Sequence, residues 1–139
     1  MQDTPSRLEL LGGLSRFLGD QVAPALNDRG LAYRLRVGIY ILDTVVRELA
    51  SEEEHDAAEL EGLRALMELD NSSDPAGEAR HRLIRSLNEK LAQSIRDGDF
   101  ADSKALHDHV KATLTDKLGV VQPNFDVGFD CETKGARIN

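Results

Sequence analysis

Residues 31–49 read LAYRLRVGIYILDTVVREL. Leu31, Leu35, Leu42, Val46 and Leu49 recur at spacings of four, seven, four and three, the period of one buried face of an α-helix. Ile39, Ile41 and Val45 widen that face until little of the middle of the helix is left for solvent. A run of about 19 residues makes a rod of roughly 28 Å, long enough to cross a small domain. A second stripe interrupts the apolar cover: Arg36, Tyr40, Asp43 and Arg47, at spacings of four, three and four.

The rest of the composition agrees with packed helices. At 139 residues the chain is one domain by length, and a domain of that size buries about two thirds of its unfolded surface. Hydrophobic residues make up 40% and aromatics only 4%, with no Trp, so the core must come from Leu, Ile, Val and Ala, which suits a helical bundle better than a sandwich. The formal net charge of −8 repels phosphate backbones and disfavours nucleic-acid binding. The densest basic cluster, Arg80, Arg82 and Arg85, is flanked by Glu78 and Glu89. Cys131 is the only cysteine, which excludes an intramolecular disulfide and a thiolate zinc site. No apolar run approaches membrane-spanning length and the N-terminus has no signal-peptide pattern, so a cytoplasmic protein without a membrane partner is expected.

Working outward, Thr4-Pro5, or Ser6 with Glu9 at capping-box spacing, opens a first helix carrying Leu8, Leu11, Leu14, Leu18 and Val22. Gly12-Gly13 within it suggests a close helix–helix approach. Pro24 and Asn27-Asp28-Arg29-Gly30 mark a turn before the central helix. Ser51 followed by Glu52, Glu53 and Glu54 has the pattern of a fresh start, predicting a third helix with Leu60, Leu63, Leu66, Met67 and Leu69. Asp74-Pro75 predicts a fourth helix with Leu83, Ile84, Leu87, Leu91 and Ile95 inward, ended by Asp97-Gly98-Asp99. A last helix runs from about Asp102 to Leu118 with Leu106, Val110, Leu114 and Leu118 inward and Gly119 as its C-cap. The expected fold is all-α: a single antiparallel bundle of about five helices over residues 1–125, with an irregular tail over 126–139.

Sites of chemistry are sparse. His107 and His109 lie two apart on a helix and point away from each other, so solvated histidines are expected rather than a metal site. Asp97-Gly98-Asp99-Phe100-Ala101-Asp102 lacks the glycine and the bidentate acid of a calcium loop. No phosphate-binding glycine loop and no activated nucleophile is visible, so no catalytic residue, metal or cofactor is expected. The stripe Arg36, Tyr40, Asp43, Arg47 has two readings. It is an ion-paired or partner-facing surface, with Asp43 and Arg47 as an i, i+4 pair, or an anion-recognition site, because arginine forks suit carboxylates and phosphates. In the tail, Val120, Val121, Phe125, Val127 and Phe129 crowd together. Phe125 and Phe129 are therefore expected to dock in a groove, on the chain's own bundle or on a second copy, the latter giving a homodimer.

Three segments together resemble a family of small bacterial all-helical domains of unknown function. They are Met1-Gln2-Asp3-Thr4-Pro5 leading to Glu9-Leu10-Leu11 and Val22-Ala23-Pro24-Ala25-Leu26; Arg36-Val37 to Val46-Arg47-Glu48-Leu49; and Asp116-Lys117-Leu118-Gly119-Val120 with Pro123. The resemblance spans roughly residues 1–125, with Tyr40 standing where the family tends to have Asn. Proteins of this kind are often encoded beside aminoglycoside-phosphotransferase-like kinases and acyl-CoA dehydrogenases. That implies an accessory role, binding a kinase-like or acyl-CoA dehydrogenase-like enzyme, and it implies no catalytic residues.

Overall fold

A computed structural model describes residues 4–70, 73–100 and 103–124, and every regular element among them is helical. The order is α1 (Arg7–Phe17), a π-helical turn (Leu18–Val22), a 3-10 turn (Ala23–Ala25), α2 (Arg29–Leu66), α3 (Glu78–Asp97) and α4 (Lys104–Val121). Among the described residues there are thus four α-helices where the sequence suggests five. The difference lies at Ser51, whose hydroxyl donates back to the Arg47 carbonyl (3.1 Å) instead of capping a new helix. No glycine or proline stands between Gly38 and Gly62, so nothing ends the first helix and α2 runs on for 38 residues.

The helix starts show which of the competing caps is used. Ser6 and Glu9 form the capping box of α1: the Ser6 hydroxyl accepts from the Glu9 N–H (3.2 Å) and the Glu9 carboxylate from the Ser6 N–H (2.7 Å). That second bond holds the Glu9 pKa below the ordinary carboxylate value. Asp28 caps α2, accepting from Gly30 N–H (2.7 Å) and Leu31 N–H (3.0 Å). Helix α3 begins at Glu78, after Gly77 at φ +54°, and not at Asp74-Pro75, because Asp74 is turned toward Arg80. It ends at Gly98, which takes the left-handed conformation (φ +88°) that a C-cap demands and a Cβ would strain. In α4, Ser103 is the N-cap and the helix continues through Gly119 to Val121.

The chain divides into two compact units, Met1–Ser51 and Glu52–Asn139, with the boundary inside α2. In the first, α1 and the start of α2 form a helical hairpin. The Ser15 hydroxyl donates to Asp43 Oδ1, and Ser15 is the buried residue of α1. That bond joins the two helices across the turn at 26–28. Leu8, Leu11 and Leu18, and Leu35, Ile39, Leu42 and Val46, are among the half-buried apolar residues of this unit.

The second unit holds the core. Leu60 and Leu63 of α2 and Ile84, Leu87 and Leu91 of α3 are buried together, with Leu66, Met67, Leu83, Phe100 and Leu106 packed against them. Each such side chain contributes about 1.5–3 kcal/mol. Leu69, Ile95, Val110 and Leu114, expected inside, are exposed. Arg80 is buried and stitches the 73–77 segment in place, donating to Pro75 O (2.7 Å), Glu53 O (3.3 Å) and the Asp74 carboxylate (3.2 Å). The basic cluster of the sequence is therefore one internal arginine and two surface ones.

Candidate functional site: the outer faces of the N-terminal hairpin

The polar stripe of α2 begins as the sequence suggests and divides on closer view. Arg36 and Tyr40 are exposed; Asp43 and Arg47 are half-buried. Asp43 accepts from Ser15, and Arg47 donates to the Thr44 hydroxyl (3.0 Å). Asp43 thus ties α2 to α1, Arg47 bonds within α2, and the outer half of the stripe faces solvent.

The unexpected feature is apolar. Leu35, Ile39, Leu42 and Val46 are half-buried on one side of α2, and the other sides are bare. Tyr33, Val37, Tyr40, Ile41, Val45 and Leu49 are exposed, Tyr33 at 65% and Ile41 at 57%. The expectation that Leu31, Ile41, Val45 and Leu49 would be buried is thereby corrected. On α1, Leu10, Leu14 and Phe17 (55% exposed) make a ridge at spacings of four and three. Its opposite face carries the half-buried Leu8 and Leu11 and the buried Ser15. The hairpin is apolar along its seam and again on both outer sides, more than the scattered single residues an ordinary surface shows. The Gly12-Gly13 pair is not a close approach: a Cβ at either would meet nothing within 4 Å.

The second unit carries a polar network with no sequence signature. Glu59 is buried, accepting from Asn88 Nδ2 (2.7 Å) and Lys117 Nζ (3.1 Å to Oε2) across three helices. Beside it, His81 Nε2 meets Asp56 (2.5 Å) and Glu52 (3.1 Å). All of these groups except Glu52 line one open groove, together with Ile84, Arg85 and Ala92. They satisfy one another, so the groove reads as a locked structural network. The partners lie 29 and 58 residues apart, beyond any local pattern.

Of the two histidines, His107 is exposed, whereas His109 packs over Gly62 in a crevice lined by Ala58, Ala65, Ala105 and Ala112. Burial lowers the His109 pKa, against the opposing pull of Glu59. Asp108 pairs with Lys104 (2.5 Å), which lowers its pKa. Among the described residues no group of three or more His, Cys, Asp or Glu could hold a metal ion, and no helix is long and apolar enough to cross a membrane. Phe125, Phe129 and Cys131 lie outside the described residues.

No curated protein and no solved structure matches the chain. A family model, Domain of unknown function (DUF6285), matches residues 24–125, so the likeness begins at Pro24 and leaves α1 outside it. That match takes in all of α2, α3 and α4, and on it the chain belongs to the DUF6285 family.

Proposed function

We propose that this chain is a partner-binding accessory domain rather than a catalyst. The observation that supports the reading is the ridge of Leu10, Leu14 and Phe17 along the outer side of α1, three large apolar residues exposed in series. A partner helix or groove would desolvate them together, and such anchors supply most of the energy of an interface. The partner we favour is a kinase-like or acyl-CoA dehydrogenase-like enzyme encoded beside such proteins, which is what the family resemblance implies. Titration of each purified enzyme with the full chain tests this. Binding by one of them, lost at least about tenfold in Leu14→Asp/Phe17→Asp, is expected. Equal binding by the variant, or binding by neither enzyme, would refute it.

A second reading uses the outer half of the polar stripe. Arg36, Tyr40, Asp43 and Arg47 share one side of α2, and Arg36 and Tyr40 are open to solvent, which suits recognition of an anion such as a phosphate or CoA. Calorimetry with ATP and CoA separates the readings. A ligand whose affinity falls more than about tenfold in Arg36→Ala/Arg47→Ala supports the anion site over a protein partner alone.

A further inference from the structure

The outer face of α2 has an order that α1 lacks. Tyr33, Val37, Ile41, Val45 and Leu49 follow one another at unbroken intervals of four, and all five are exposed. Going round α2, Val37 and Val45 lie about 40° to either side of Ile41, and Tyr33 and Leu49 about 80°. Taking about 200 Å² for each large side chain, the five residues and Tyr40 leave roughly 600 Å² open. That is at the top of what a typical monomer shows in one patch. It is also about one copy's share of a small specific interface of roughly 1,200 Å².

Charge says which occupant fits. Residues 1–51 hold six basic and six acidic side chains, so the whole net charge of −8 resides in residues 52–139. Two copies repel through their second halves and meet without net repulsion only through the first. The ridge is also complementary to itself. Ile41 is its midpoint, and Val37 and Val45, then Tyr33 and Leu49, are placed symmetrically about it. Arg34 and Glu48 stand seven residues before and after Ile41, two helical turns either way, hence on the same side of α2, and both are exposed. Along one helix they are about 21 Å apart and cannot pair.

We propose that the outer face of α2 binds a second copy of this chain, antiparallel, with Ile41 on the two-fold axis. In that register, with the two axes close to antiparallel, Val37 packs beside Val45 and Arg34 of each copy faces Glu48 of the other, while Tyr33 and Leu49 flank the contact. This is the isologous arrangement in which every contact occurs twice. The inference uses a different face from the α1 ridge, so either can fail without the other.

Sedimentation of the full chain up to about 100 µM tests it, a range suited to a small interface. A dimer is expected. Ile41→Glu places two carboxylates on the axis and should give a monomer with unchanged helix content. Arg34→Glu opposes two like charges at each end and should weaken the dimer at least about tenfold. Arg34→Glu/Glu48→Arg should restore it to within about threefold, since the swap re-forms both pairs in this register alone. A monomeric parent chain, or an Ile41→Glu variant that dimerises like the parent, would overturn the surface. A double swap no tighter than Arg34→Glu alone would overturn the antiparallel register.

Discussion

Gly62→Ala should destabilise this protein, although alanine is the better helix former. In an open helix interior the replacement stabilises by about 1 kcal/mol. At Gly62 a Cβ would overlap the His109 imidazole, lying 2.8 Å from Cε1 and 3.4 Å from Cγ, with Nδ1 nearer still. Carbon atoms prefer about 3.5–4.0 Å, so the ring must turn out or α4 must shift. His109 is already half-buried, in a crevice otherwise lined by four alanines with Glu61 and Leu66. Over-packing of this kind costs about 1–3 kcal/mol. Set against the propensity gain, the net loss is about 0–2 kcal/mol. Gly119→Ala, in α4 with nothing within 4 Å, is the control and should stabilise by about 0.4–1 kcal/mol. Urea unfolding followed by far-UV circular dichroism measures both, there being no Trp to follow by fluorescence. On a His109→Ala background the obstacle is gone, and Gly62→Ala should become stabilising, a coupling of about 1–3 kcal/mol. If Gly62→Ala stabilises as much as Gly119→Ala in the parent chain, the imidazole does not sit over the glycine and the α2–α4 seam is wrongly described.

Burial lowers the His109 pKa in the folded chain, so the unfolded chain takes up the proton first. Stability from this group is present above about pH 6.5 and is lost as pH falls below it, by the linkage of proton uptake to unfolding. His109→Asn should flatten the difference in stability between pH 7.5 and 5.5, about one unit either side of the ordinary histidine pKa; an unchanged slope would assign it elsewhere. Asn88→Ala leaves the buried Glu59 carboxylate with Lys117 alone and should cost about 1–3 kcal/mol by urea unfolding. Arg80→Met removes the donors to Pro75 O and Glu53 O, and should cost about 1.5–3 kcal/mol while exposing the 73–77 segment to proteolysis. Ser15→Ala takes the hydroxyl from Asp43 and should raise hydrogen exchange in α1 with little effect on the core around Leu60 and Leu63.

Helical character was written locally. The period of Leu35, Leu42 and Val46, the Ser6–Glu9 capping box and the left-handed stop at Gly98 each depend on residues within a turn or two of one another. The core pair Leu60 and Leu63 and the α3 face of Ile84, Leu87 and Leu91 were legible for the same reason. Where two local signals competed, the sequence could not choose: Ser51 has the pattern of a cap, yet caps only if the preceding helix has a reason to end.

Tertiary structure decided everything that depends on which faces find partners. Periodicity marks apolar residues on every side of residues 31–49, but burial needs a covering element, and within its unit α2 has only α1 to pair with. Ile41 and Val45 are therefore exposed, while Leu42 and Val46 beside them are half-buried. The Glu59–Asn88–Lys117 network, the Ser15–Asp43 bond and the placing of His109 over Gly62 join residues 28 to 58 positions apart. Such pairings carry no period for a sequence to display, because they arise only when helices already formed are brought side by side.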